Sequence, residues 1–336
     1  MSSSPSHKLS RSDGLPRRRL GNSDLHVSAI GLGLWPIAGV STLGTTEANS
    51  LATIHQALDC GINFIDTAYS YGYDGESDRI LSQVLRDRSG EMIVATKVGQ
   101  HFDASRQRRV DATPATIRRH TNESLTRLGI ETVDILYLHC PDPNVPVADS
   151  ASAIRELIES GKARYAGISN VSAEQLATFC EVCPVVVAQP PYNMLQQDAV
   201  AEIRPICDVQ SIGIACYWAL MKGLLAGRFE RDHQFDPADK RLTYEIYQGE
   251  SWARAQNLLD ALRTIARDNQ CTVAQLVLTW TVHQPNITSA LCGAKRPDQI
   301  RETAETLSVA SRLGEDSTAL AAVKVALDNY AASIRN

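Results

Sequence analysis

From Ser28 onward the chain repeats one rhythm: a short apolar or β-branched run, then a longer amphipathic stretch. Eight runs fit: Ala29–Leu34, Asn63–Thr67, Met92–Lys97, Val133–His139, Ala163–Ser169, Val185–Gln189, Gly213–Trp218 and Ile287–Cys292. Most are apolar almost throughout, the mark of strands covered on both faces. Eight strands alternating with helices leave two architectures, a doubly wound open sheet or a closed (β/α)8 barrel. A chain of 336 residues is within the range of one barrel domain.

The helical stretches have readable ends. Thr113-Pro114 reads as an N-cap followed by proline at the first helical position, with Gly129 as the stop. Ser172 and Gln175 fit a capping box, and Gly61 and Gly161 fit the position just past a helix end. Before the repeat, Arg17–Leu20 and Leu25–Ser28 around Gly21-Asn22 suggest a β-hairpin, its arginine run a solvated strand face. Residues 1–16 are Ser-rich and polar, hence expected to be disordered. No linker-like segment follows, so 17–336 reads as a single domain. Two features fall outside the rhythm: a long polar segment, Phe229–Glu250, expected to be a functional loop, and an extra C-terminal helix over Ser317–Ile334.

Composition excludes several function classes. A net charge of −5 and a pI of about 5.9 provide no electrostatic footprint for nucleic acid or an anionic membrane. The longest uncharged stretch, Val27–Thr46, is broken by glycines and Pro36, which rules out a spanning helix. Eight dispersed cysteines and an N-terminus without an apolar segment point to reduced thiols and a cytoplasmic protein. Oligomeric state is not readable.

In a closed barrel the reactive groups stand at the C-terminal ends of the strands. Read in order, those ends carry Asp66, Lys97, His139, Ser169-Asn170, Gln189 and Tyr217. A buried strand gains nothing from a terminal carboxylate, amine or imidazole, since each costs several kcal/mol by desolvation unless partnered. One such residue is ordinary strand-end polarity; three on consecutive strands make a site. Tyr71, five residues after Asp66, can fold over the same mouth. An ammonium beside it is expected to lower its pKa toward the range of a general acid. His139 can orient a carbonyl oxygen or relay a proton. The set describes protonation of a carbonyl oxygen while hydride reaches the carbon. Rival chemistries lack their residues: Gly31-Leu-Gly33-Leu-Trp35-Pro36 has proline where a dinucleotide fingerprint needs its third glycine. Cys180-x-x-Cys183 has no second pair at zinc spacing, and no metal site is expected.

The stretch Gly61-Ile-Asn63-Phe-Ile-Asp66-Thr67-Ala68-Tyr-Ser-Tyr71-Gly72 resembles the signature of the aldo-keto reductases, most like the bacterial general reductases. So do Ala95-Thr-Lys97, Asp134-Ile-Leu-Tyr-Leu-His139, Gly167-Ile-Ser169-Asn170, Gln189 with Tyr192-Asn193, and Gly293-Ala-Lys295-Arg296-Pro297-x-Gln299. The resemblance implies a (β/α)8 barrel that binds NADP(H) and reduces a small-molecule aldehyde or ketone, reversibly on sugars or alcohols. It implies a tetrad of Asp66, Tyr71, Lys97 and His139, with Tyr71 as general acid. Tyr217 then stacks on the nicotinamide, and Ser169, Asn170 and Gln189 hold its carboxamide. Lys222 and Arg228, with Trp218 and Leu220 in the same loop, cover the pyrophosphate. Gly293, Lys295, Arg296 and Gln299 take the adenosine 2′-phosphate, Glu302 contacts adenine, and Trp35 lies near substrate. The chain departs from the family at Trp218, where a small polar residue is usual, and at Thr303, where asparagine is. The alternative class is a cofactor-holding regulatory subunit of the same fold with little turnover.

Overall fold

The computed structural model describes residues 17–40, 44–237, 239–315 and 317–335; the expected disorder of 1–16 lies outside the described residues. Eight parallel strands close into a barrel in chain order: β1 Ile30–Gly33, β2 Phe64–Asp66, β3 Ile93–Val98, β4 Val133–Leu138, β5 Ala163–Ser169, β6 Val185–Gln189, β7 Gly213–Cys216 and β8 Ile287–Gly293. Closure decides against the open sheet. β7 ends two residues before the expected Trp218, because Trp218 adopts left-handed backbone with φ 67°.

Helices α1 Glu47–Asp59, α2 Glu76–Arg88, α3 Pro114–Leu128, α4 Val147–Glu159, α5 Ala173–Val182 and α6 Asp198–Gln210 follow the first six strands. α7 Gly249–Asp268 precedes α8 Val273–Val282, and α9 Pro297–Leu313 follows β8. The C-terminal α10, Thr318–Arg335, packs on α7. The local signals act as their chemistry requires. Thr113 accepts the Thr116 N–H ahead of Pro114, and Gly129 stops α3 at φ 70°. Ser172 and Gln175 make both bonds of the capping box. Gly61 and Gly161 leave α1 and α4 at φ 85° and 78°, a conformation in which a Cβ is strained.

The barrel interior is filled by Phe64, Ala95, Ile135, Tyr137, Val186, Ala215 and Leu291. Its N-terminal end is closed by the hairpin Arg17–Arg19/His26–Ser28, which adds Leu20, Leu25 and Val27. The hairpin turn is longer than the expected Gly21-Asn22 pair. Leu20 and Leu25 are drawn into the core, joined by Leu20 N–H to Leu25 O at 2.9 Å, and the chain must cross the barrel floor between them. The arginine run also differs from a solvated face. Arg18 donates to the Val282 and Ile287 carbonyls at 2.8 Å each, fastening the hairpin to the end of α8 and the start of β8. Tyr137 has room inside only because β5 carries Gly167, where a Cβ would stand 2.4 Å from the ring.

The segment Phe229–Glu250 is not an open loop. Phe229, Phe235, Tyr247 and Trp252 pack on one another, with ring centroids 5.2–6.4 Å apart. Gln256 and Arg263 of α7 donate to the Phe229 carbonyl at 3.1 and 2.7 Å. Aromatic side chains scattered in a polar sequence carry no periodicity, so this packing escaped the reading. Among the described residues no helix is long and apolar enough to cross a membrane. All eight cysteines are free thiols, and burial pushes Cys180 up to about 11 and Cys183 up to about 12.

Candidate active site

Strand register sets the first two members. Asp66 pairs with Ala95, so Lys97 stands two residues further toward the mouth on the same face of β3. Lys97 Nζ lies 2.5 Å from Asp66 Oδ2, and both side chains are 3% exposed or less. Two further bonds complete the ammonium: Thr67 O at 3.1 Å and Tyr71 Oη at 2.9 Å. Three N–H donors thus meet three acceptors, the condition under which a buried charge is tolerated. Asp66 Oδ1 in turn accepts from Gln189 Nε2 at 2.9 Å.

Tyr71 arrives by backbone geometry. Thr67 and Tyr69 N–H continue the β2 ladder onto the Ala95 and Lys97 carbonyls at 2.8 and 2.9 Å, then Tyr71 N–H turns back to Ala68 O at 2.9 Å. The neighbouring tyrosines go elsewhere: Tyr69 stacks on His120 and donates to Glu123, and Tyr73 is exposed against Phe102. The Tyr71 ring meets Trp35 edge-on at 5.3 Å and His139 at 6.1 Å.

The electrostatics correct one expectation. Burial, then the Asp66 charge, holds the Tyr71 phenol well above its ordinary value, with Arg108 opposing. The net direction is up in spite of the Lys97 ammonium at 2.9 Å, because burial and the Asp66 charge are the largest causes. Lys97 itself is lowered by burial, opposed by Asp66. His139 is driven well below 6.5 by burial and by the charges of Lys97 and Arg108, so its imidazole is neutral. Since Tyr71 Oη accepts from Lys97, its own proton is left for a partner in the mouth.

The remaining candidates line one side of the mouth. Ser169 Oγ donates to Gln189 O at 2.7 Å, Asn170 Nδ2 donates to His139 O and Ser169 Oγ at 2.8 and 3.0 Å, and Tyr217 Oη donates to Asn170 Oδ1 at 2.7 Å. The loop after β7 has three non-glycine residues in left-handed backbone, Trp218, Met221 and Lys222. Such conformations cost about 1–3 kcal/mol each and concentrate at functional sites. Lys222 Nζ sits 4.3 Å over the Tyr244 ring and 5.4 Å over Trp218, whereas the Leu220 side chain turns to the core. Arg228 is paired across to Glu302 of α9. Lys295 N–H donates to Gln299 Oε1 at 3.0 Å, and Arg296 is paired with Asp298 at 3.2 Å. A Cβ at Gly293 would meet Pro36 at 2.6 Å, so the close approach of the loop after β1 to the end of β8 requires glycine.

These groups fit a nicotinamide dinucleotide. Amide and hydroxyl side chains beside an aromatic ring suit a carboxamide-bearing heterocycle. The first turn of α9 has no side-chain cap and is flanked by Lys295 and Arg296, which suits a phosphate.

Two residues at the site escaped the sequence reading. Arg108 lies on a hairpin after β3, Gln100–Phe102/Arg108–Val110, and its guanidinium stacks 5.0 Å over Trp35. Asp78, in the first turn of α2, is fully buried beneath the Tyr71 loop and accepts from Thr67 Oγ1 at 2.8 Å. The only signal for it was an acidic residue near a helix start, which reads equally as exposed dipole compensation.

Asp78 gives a prediction for stability. Burial raises its pKa from 3.8 to about 6, against Thr67, Arg127 and Lys97. The folded form therefore binds the proton more tightly than the unfolded one. This contribution is fully present below pH 4 and is lost as pH rises through 6, a loss of about 3 kcal/mol by linkage. Urea midpoints of wild type and Asp78→Asn from pH 4 to 7 should diverge in that window, the variant lacking the decline; parallel curves would refute it.

Known proteins match this chain in sequence and fold. The family model described as "Aldo/keto reductase family" matches residues 29–320. Aldo-keto reductase YhdN of Bacillus subtilis (strain 168) is 32% identical over 289 residues, 85% of this chain and 87% of the relative. The NADH-specific methylglyoxal reductase of Escherichia coli (strain K12) is 31% identical over 305 residues, 86% and 93% of the two chains. The glycerol dehydrogenase AKR11B4 of Gluconobacter oxydans superposes with a TM-score of 0.85 at 32% identity, covering 95% of each chain. A closed eight-stranded barrel with this match over most of its length leaves one assignment, and the chain belongs to the aldo/keto reductase family of oxidoreductases.

Proposed function

We propose that the chain, with 17–336 acting as one domain, is an NADPH-dependent reductase of a small aldehyde or ketone, reversible on alcohols or sugars. The observation that carries this is the hydrogen-bonded chain Asp66–Lys97–Tyr71, at 2.5 and 2.9 Å, at the mouth of the barrel. Tyr71, with its pKa held up, keeps its proton until a stronger acceptor forms. That acceptor is the carbonyl oxygen as negative charge develops on it. The phenol O–H bond breaks as the alcohol O–H bond forms. Phenolate character then grows 2.9 Å from Lys97 Nζ, where the ammonium stabilises it. The attraction is stronger in the transition state than in the ground state, the condition for rate acceleration. Neutral His139 contributes one ring N–H toward the same oxygen.

A bound nicotinamide dinucleotide supplies the hydride. Tyr217 would face its ring, and Ser169, Asn170 and Gln189 its carboxamide. Trp218, Leu220 (through backbone), Lys222 and Arg228 would cover the pyrophosphate. Gly293, Lys295, Arg296, Gln299 and Glu302 would hold the adenosine end. Trp35 would wall the substrate. The preference for NADPH rests on Lys295 and Arg296, two cations at the uncapped start of α9. Because one relative is named NADH-specific, this preference needs its own test. Replacing Lys295 and Arg296 together with Ala should raise KM for NADPH about 10- to 100-fold and barely change that for NADH. Equal losses would place the 2′-phosphate site elsewhere.

The reductase reading is tested by the loss of reduced-nicotinamide absorbance with a panel of aldehydes, dicarbonyls and sugars. Turnover supports it. Tight cofactor binding without turnover of any carbonyl would favour a cofactor-holding subunit.

A further inference from the structure

The guanidinium of Arg108 stands at the mouth with nothing in the mechanism above to explain it. Its hairpin is rigidly built. Asp103 accepts the backbone N–H groups of Ser105 and Gln107 at 2.9 Å each and the Arg109 Nε at 2.7 Å. Arg108 pairs across the hairpin with Phe102. This turns the two neighbouring arginines to opposite faces. Arg109 goes to Asp103, while Arg108 lies 5.0 Å over Trp35 and 5.5 Å over Phe102. Trp35 is in edge contact with Tyr71, which brings Arg108 over the site.

The acidic groups around this face are committed elsewhere. Asp103 serves Arg109, Asp111 accepts from Thr113 and Thr116, and Asp142 accepts from the Ala112 and Asn144 backbone. Among the described residues no carboxylate pairs with Arg108. Its charge nevertheless reaches the reacting groups, opposing the upward push on Tyr71 and pressing His139 further down. An exposed guanidinium held over two aromatic rings, without a carboxylate partner among the described residues, keeps its fork of N–H donors ready for a planar or tetrahedral oxyanion.

Resting on the reductase reading, we infer that the preferred substrate is an anionic carbonyl compound, whose carboxylate or phosphate is taken by Arg108 while Tyr71 addresses its carbonyl oxygen. A simple lid over Trp35 would need the flat side chain but not its charge.

The test is steady-state kcat/KM for matched pairs: 4-oxobutanoate against butanal, 4-carboxybenzaldehyde against 4-methylbenzaldehyde, and glyceraldehyde 3-phosphate against glyceraldehyde. Wild type should prefer the charged member. Arg108→Met, which keeps an apolar chain of similar length over the rings, should cut the charged-to-neutral ratio about 10- to 100-fold. Arg108→Lys should restore part of it, since an ammonium keeps the charge but not the fork. The pair with the larger preference distinguishes carboxylate from phosphate. A ratio unchanged in Arg108→Met, or equal loss for both members, overturns the inference. If no carbonyl is turned over, the reductase reading fails separately, and tryptophan-fluorescence titration with 4-oxobutanoate decides this one. Binding lost in Arg108→Met supports the anion site; binding indifferent to Arg108 overturns it.

Discussion

Tyr71→Phe is expected to lower kcat for every carbonyl substrate by about 10²- to 10⁴-fold, the range a general acid supplies, while the KM for the nicotinamide cofactor stays within a few-fold. The substitution removes one oxygen from a ring that otherwise keeps its contacts with Trp35 and His139. Packing is therefore preserved, and only the proton and the acceptor for Lys97 Nζ are lost. Because kcat should fall as far as kcat/KM, the pattern is that of an interaction made in the transition state alone. Single-turnover rates with both reduced cofactors would check it; unchanged turnover would remove Tyr71 from the mechanism.

Lys97→Met should be damaging in two ways that can be separated. It leaves Asp66, 2% exposed, with Gln189 Nε2 as its remaining side-chain donor. Breaking a buried pair from one side costs about 3–5 kcal/mol, which for a chain this size is a drop of several degrees in Tm. It also removes the charge that stabilises a phenolate on Tyr71. The double variant Asp66→Leu with Lys97→Met removes both charges, so its Tm should recover most of the loss. Turnover should stay near the background of Tyr71→Phe in both. Recovery of activity along with stability would mean that the pair only holds the fold.

Much of this molecule was legible before its structure. Each barrel strand lies in a local apolar run five to seven residues long, and most helix ends are marked by a cap, a proline or a glycine within a turn. Such signals are complete within about ten residues of chain. Asp66, Lys97 and His139 stood out for a related reason: an ionisable residue at the end of an apolar strand is conspicuous whatever its partners are.

Other features depend on partners far away in the chain. The tyrosine shift is the clearest case. Sequence places an ammonium near Tyr71 and predicts a lowered phenol pKa, but the sign depends on burial and on Asp66 sitting 2.5 Å from that ammonium. The hairpin that carries Arg108 reads as an unremarkable polar stretch, and its direction appears only once Asp103 claims Arg109. Arg228 and Glu302, 74 positions apart, pair the loop after β7 with α9, and Asp78 is buried only because the β2 loop folds over it. Sequence alone therefore determined the eight strands alternating with helices and the polar residues at the strand ends, through backbone preference and periodicity; closure into a barrel came from the tertiary structure. Tertiary structure alone decided which charges meet and which protons stay bound, because desolvation and pairing are properties of the assembled mouth.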